Sequence, residues 1–157
     1  MVPPLNYATV GPGVYRSGHP NKKNFPFLRK LNLTSVLYIC EDDHTPDMAA
    51  FVQAEGLQYY HYALEGNKEP FGEMDPVQIG DALGKILDPS NHPILIHCNK
   101  GKHRIGCLVG CLRKVQQWSL VSIFDEYKRF TGPKVREADL EFIETFDLSL
   151  IPPPGEK

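Results

Sequence analysis

The sequence predicts an α/β domain built on a central, largely parallel sheet of four or five strands flanked by helices. Three observations lead there. PILIH, residues 93–97, is a continuous apolar run ending in histidine, the pattern of a strand buried on both faces as in a parallel sheet. Upstream of it, β-prone runs alternate with helical segments, which calls for strand–helix crossovers. Finally, 157 residues with 41% apolar and 23% charged side chains suit one globular domain with its own core. The expected domain is 1–157, with a core of about 8–148.

Each element has its own signal. GVYRSG reads as a short strand entering a turn, and NFPFLRKL as a brief helix interrupted by Pro26. TSVLYIC, residues 34–40, is strongly β-prone and gives way to acidic, turn-rich EDDHTP. Pro46 starts a helix over 47–55 that Gly56 stops. LQYYHY, residues 57–62, is the next strand. Asp75 and Pro76 cap a helix reaching Leu87, which Asp88-Pro89 ends. After PILIH the chain turns helical: Ile105 to Gln117, then Leu120 to Phe130 behind the capping Ser119, then Glu137 to about Phe146. The PPPG tail is expected to fray.

Composition narrows the function. A net charge of −2 provides no global basic field for nucleic acid. No apolar stretch approaches the roughly 20 residues of a membrane span. MVPPLNYATV carries neither a basic leader nor a long apolar region, so a cytoplasmic location is expected, with the nucleus as a second compartment. Cys40, Cys107 and Cys111 lie in or beside apolar runs and read as buried thiols of a reducing compartment. Cys98 differs, because glycine and cations surround it.

That cysteine sits in HCNKGKHRIG, His97 to Gly106, between the apolar strand and a helix. A strand-to-helix loop presents unpaired N–H groups, and Gly101 lets several converge on one tetrahedral anion. The helix start adds attraction for negative charge. Arg104, five intervening residues after Cys98, can grip two phosphate oxygens with its planar fork. The same surroundings favour a sulfur anion, so a loop built for phosphate also activates a nucleophile. His97, Cys98, His103 and Cys107 could alternatively form a metal site, but the cations between them oppose it. His97 can bond loop backbone and hold the thiolate in place. Lys100, Lys102 and His103 lie on the loop rim. Between His97 and Arg136 there are nine lysines and arginines against two acids, which suits a highly anionic substrate.

The chain resembles the cysteine-dependent phosphatases, and most closely the plant and fungal atypical dual-specificity branch of the protein tyrosine phosphatase superfamily. The resemblance rests on VPPLNYATVGPGVYRSG, EGNKEPF, HPILIHCNKGKHRIGCLVGCLRK, WSLVSIFDEYKRF and PKVREADLEFIETFD, and covers nearly the whole chain. It implies a tyrosine-phosphatase-like fold and removal of the β-phosphate of inositol pyrophosphates through a phosphocysteine at Cys98. Protein or phosphoinositide phosphatase activity, or phosphate binding without turnover, are the alternatives.

The implied substrate-binding set is Asn99, Lys100, Gly101, Lys102, His103, Ile105 and Gly106 of the loop, Asn67 and Lys68 of EGNKEPF, and Lys134 and Arg136 beyond TGP. Lys128, Arg129, Arg16 and His19 are weaker candidates. EGNKEPF occupies the place of the loop that supplies an aspartate acid in related phosphatases, yet it holds no aspartate. Glu65, Glu69 and Asp75 are the candidate acids. The family pattern has serine or threonine after the signature arginine, where this chain has Ile105, so slow breakdown of the phosphoenzyme is expected. No cofactor or metal is expected. The expected partners are a highly anionic phosphorylated small molecule, with a phosphoprotein or a complex of related phosphatase-like chains as further candidates.

Overall fold

The computed structural model describes residues 1–67 and 74–153. Five strands form one sheet: β1 (Ala8–Gly11), β2 (Val14–Ser17), β3 (Ser35–Ile39), β4 (Gln58–Tyr62) and β5 (Ile94–His97). Their order is β1-β2-β5-β3-β4, with β1 and β2 antiparallel and every other pairing parallel. β5 therefore lies at the centre with all four residues buried, as its unbroken apolar sequence requires. β4 is one of the two edge strands, and its tyrosine- and histidine-rich sequence is correspondingly half exposed.

Among the described residues, six α-helices cover the two faces. α1 (Phe25–Lys30) and α2 (Pro46–Ala54) bury Phe25, Leu28, Met48, Phe51 and Val52 against Val36 and Leu95 on one side. α3 (Pro76–Leu87), α4 (His103–Val115), α5 (Leu120–Thr131) and α6 (Glu137–Thr145) share the larger cluster on the other, with Leu37, Ile39, Ile94 and Ile96. Alternate strand residues thus feed opposite layers. α4 is buried along most of its length, which explains the small residues in its sequence: a Cβ at Gly106 would meet the Tyr127 ring at 2.8 Å, and one at Gly110 would meet Ile143 at 2.5 Å.

The departures from the sequence reading are local. β1 carries no strand signal of its own in the sequence and forms because the chain reverses at Gly11–Gly13 onto β2. Pro26 does not interrupt α1; it occupies the first turn, where a missing N–H costs nothing. α4 begins at His103 rather than Ile105, so Arg104 and Ile105 lie inside its first turn. The PPPG tail, residues 152–155, lies against α3 at Pro152, near Gly84, and Leu150 lies against Gly80, while residues 154–157 lie outside the described residues.

Candidate active site

The loop joining β5 to α4 lies at the carboxyl ends of the parallel strands, beside the crossover where open sheets gather ligands. Cys98 leaves the end of β5 and is 2% exposed at the floor of a cavity of about 500 Å³. The backbone N–H of Gly101 donates to its Sγ at 3.2 Å. Gly101 takes φ +76°, and a Cβ there would lie 2.6 Å from the backbone N of Gly18. Only glycine allows the loop to curl this tightly against the end of β2.

Asn99, Lys100, Lys102, His103 and Arg104 line the wall, joined by Lys134 and Arg136 from the segment between α5 and α6 and by Glu65 and Gly66 after β4. His103 anchors the two walls together, its Nε2–H donating to the Lys134 carbonyl at 2.8 Å. Burial, followed by the charge of Arg136, holds this imidazole below its ordinary range and so keeps it a neutral donor. Gly66 leaves room for two arginine side chains, since a Cβ there would sit 3.0 Å from Arg136 Nη1 and 3.7 Å from Arg104 Cγ.

Arg104 is engaged by a residue that sequence reasoning did not select. Its Nη1 donates to Oε1 of Glu41 at 2.6 Å, and Glu41 itself lines the cavity. Burial works against the charge on Arg104, but Cys40, Glu41 and Cys98 outweigh it and hold the group above its ordinary range. Burial likewise raises Glu41, and the Arg104 hydrogen bond and charge bring it below the usual carboxylate range. Glu41 is thus an ionised partner for the guanidinium, not a proton donor. A signal was available: Glu41 lies two residues past the end of β3, at the same carboxyl edge of the sheet.

Several predicted substrate contacts are placed elsewhere. Ile105 is 0% exposed within the helix-side core and does not line the cavity, because the first turn of α4 aims it inward. Gly106 is a close contact between α4 and α5 rather than a phosphate contact. Asn67 is buried away from the cavity: its amide donates to Asp139 Oδ1 at 3.2 Å and accepts from Met74 N at 2.7 Å, which ties Gly66's neighbour to the start of α3. Tyr127 O–H donates to the other oxygen of Asp139. Asp75 is occupied as the N-cap of α3, accepting from Val77 N at 2.9 Å, and does not reach the cavity. Glu65 does line it, while Lys68 and Glu69 lie outside the described residues. Lys128 and Arg129 lie on the exposed last turn of α5, and Arg16 is buried beneath the loop.

His97 is wholly buried and points to the opposite face from Cys98, with Nδ1 3.2 Å from the Cys98 carbonyl and Nε2 3.0 Å from Nε2 of His44. The suggested metal set is therefore dispersed. Among the described residues, the one grouping of three ligand-type atoms is Cys40, Glu41 and Asp42, two of them exposed and one engaged with Arg104.

A thiol under an N–H, an arginine fork and four further cations around one cavity can attack a phosphoryl group and stabilise its equatorial oxygens. Comparison with known proteins agrees. A model of the tyrosine phosphatase family matches residues 1–157. The chain is 50% identical over 149 residues to the inositol diphosphatase DSP1 of Oryza sativa subsp. japonica, covering 95% of this chain and 67% of that protein. It is 45% identical to the inositol diphosphatase SIW14 of Saccharomyces cerevisiae, covering 94% of this chain and 53% of that protein. The citrate-bound catalytic core of the yeast protein superposes with a TM-score of 0.88 at 42% identity, over 94% of this chain and 88% of that one. The chain accordingly belongs to the tyrosine phosphatase family as a cysteine-dependent phosphatase, in the branch that holds these plant and fungal inositol diphosphatases.

Proposed function

We propose that the protein hydrolyses the β-phosphate of inositol pyrophosphates. The observation that carries this reading is the lining of the cavity. Lys100, Lys102, Arg104, Lys134 and Arg136 face two carboxylates, Glu41 and Glu65, and no tyrosine, phenylalanine or aliphatic side chain is among the described lining residues. A phosphotyrosine needs apolar walls for its ring and one strong anion site. A ring studded with phosphates needs cations spread around a bowl. The relatives named inositol diphosphatases support the same choice.

Cys98 attacks the β-phosphorus in line with the bridging oxygen; the P–O bond breaks and its electron pair leaves on the inositol phosphate. Water then attacks the phosphorus of the phosphocysteine, the S–P bond breaks, orthophosphate leaves and the thiolate is restored. An alkoxide leaving group would demand a proton donor, whereas a phosphate with a second pKa of ~6 can depart largely unprotonated. This fits a site where Asp75 is spent on a helix cap and Glu41 on Arg104, so that Glu65 is the one candidate acid among the described residues that lines the cavity. All four cysteines are buried and free, which supports a reducing compartment, cytoplasm or nucleus, as the place of reaction.

The test is a panel of inositol pyrophosphate, inositol hexakisphosphate, inorganic polyphosphate and phosphotyrosine peptide, with Cys98→Ser as the inactive control. Inositol pyrophosphate should have the highest kcat/KM. A clearly higher value for the phosphotyrosine peptide overturns the proposal.

A further inference from the structure

Four successive carbonyl oxygens of the catalytic loop accept hydrogen bonds from outside it. Cys98 O accepts from His97 Nδ1 at 3.2 Å and Asn99 O from the His19 backbone N–H at 2.8 Å. Lys100 O accepts from Asn6 Nδ2 at 2.8 Å and Gly101 O from Arg16 Nη2 at 3.2 Å. In a trans peptide the C=O and the following N–H point in opposite directions. Among the described residues the one cis peptide is His92–Pro93, outside this loop. Holding the four carbonyls outward therefore turns the N–H groups of residues 99 to 102 inward. One case is directly visible: Asn6 holds the Lys100 carbonyl, and the Gly101 N–H of that same peptide points at Cys98 Sγ.

The bond at Cys98 has a second support behind it. A carbonyl only accepts, so His97 Nδ1 carries the proton and Nε2 offers a lone pair. His44 Nε2, 3.0 Å away, is then the donor. The two rings lie 10° from parallel, in a stack that includes Tyr38 and Tyr59, with His19 edge-on and His61 stacked on Tyr59. Burial, then the neighbouring imidazoles, push His44 down to about 3 and His97 well below its ordinary range, so this tautomer pattern holds at neutral pH.

We infer that Asn6 and His44 are positioning residues of the phosphatase reaction, acting through the carbonyls of Lys100 and Cys98 to aim the loop amides at the transferring phosphoryl group. Neither lines the cavity, so neither is a substrate contact. The inference rests on the family's phosphocysteine chemistry and is independent of which phosphate compound is the substrate.

Asn6→Gly removes the donor and tolerates the left-handed backbone, φ 54°, that Asn6 adopts. His44→Phe keeps the ring stack and loses the donor, and His44→Gln restores a donor near Nε2. Each variant is assayed for kcat and KM on para-nitrophenyl phosphate and for orthovanadate affinity by calorimetry. In Asn6→Gly and His44→Phe, kcat and orthovanadate affinity should each fall about fivefold, the worth of one ordinary hydrogen bond. KM should stay within about twofold, and His44→Gln should recover most of the loss. Nitrogen-15 spectra should show His97 protonated at Nδ1 and His44 at Nε2. Unchanged kcat and orthovanadate affinity in either donor-loss variant overturns the role of that residue, even if Tm falls. His97 protonated at Nε2 overturns the role of His44. Neither probe contains an inositol ring, so these outcomes are separate from those of the substrate panel.

Discussion

Gly101→Ala tests the shape of the phosphate cup at its tightest point. The backbone there sits at φ +76°, where an L side chain costs roughly 1–2 kcal/mol. The new Cβ would also meet Gly18 N at 2.6 Å and Ser17 C at 2.8 Å, both backbone atoms of the sheet end that cannot rotate away. The fit is reciprocal, since a Cβ at Gly18 would meet Asn99 O and Lys100 C at 3.0 Å. Relieving 2.6 Å to an ordinary contact of 3.4 Å moves the loop by about 0.8 Å. That displacement carries the Gly101 N–H away from Cys98 Sγ, and a misplacement of about 1 Å typically costs on the order of 100-fold in rate. The backbone strain alone should lower Tm by roughly 2–8 °C for a chain of this size. Steady-state kinetics and thermal melting of Gly101→Ala and Gly18→Ala provide the measurement. Wild-type kcat/KM in Gly101→Ala would show that the loop is not held by this contact, and the argument for a preformed cup would fall with it.

Three further outcomes follow from other parts of the structure. Glu41→Gln removes the carboxylate that engages Arg104 at 2.6 Å, so an anionic substrate no longer competes with it; KM should fall roughly two- to fivefold at low salt and the effect should shrink in salt titrations. Arg113→Met leaves Glu126 buried without its paired donors at 3.0 and 2.9 Å and should cost about 3–5 kcal/mol in denaturant unfolding, with little change in kcat. His97 is fully buried and its folded-state pKa lies below the unfolded value; the unfolded chain therefore binds the proton first as pH falls below about 6.5, and stability is lost by up to about 1.4 kcal/mol per pH unit from this ring. Melting at a series of pH values should show that acid slope, and a Tm independent of pH between 6.5 and 4 would contradict it.

The central strand and the catalytic loop were legible because their constraints are local. An apolar tetrapeptide has to be buried, and Cys98, Gly101 and Arg104 lie within seven residues of chain. Asp75, Pro76, Ser119 and Gly56 likewise mark helix ends through bonds made within a few residues. What sequence could not give is which side of an element faces the cavity. Ile105 and Arg104 are adjacent, yet the first turn of α4 sends one into the core and the other to Glu41, 63 residues away. Asn67 is a substrate contact by resemblance and is instead an amide buried between Asp139 and Met74. Glu41, Asn6 and His44 act on the loop from segments brought together only by the sheet order β1-β2-β5-β3-β4. Their signals were faint because acids, asparagines and histidines are ordinary in exposed turns.

The inward placement of Ile105 changes how its substitution should be read. With 0% exposure it does not line the cavity, so a kinetic effect of replacing it has to be transmitted through the core cluster to which Cys98 also belongs. Threonine at this position deletes a methylene and methyl from a packed site and introduces a hydroxyl that needs a partner. Without one, the combined cost is roughly 2–4 kcal/mol. The Gly101 carbonyl, four residues back, is one acceptor for that hydroxyl; the sulfur of Cys98 is the acceptor that the family pattern of serine or threonine at this position implies. A hydroxyl on the thiolate stabilises the sulfur as a leaving group when water attacks the phosphocysteine, and should speed that step. The wild type, lacking it, should show a pre-steady-state burst with hydrolysis limiting turnover. Ile105→Thr should raise kcat, diminish the burst and lower Tm. A hydroxyl captured by the Gly101 carbonyl would instead lower Tm and leave both phases unchanged. No burst in the wild type, together with an unchanged rate in the variant, would show that phosphoenzyme breakdown is not what Ile105 controls.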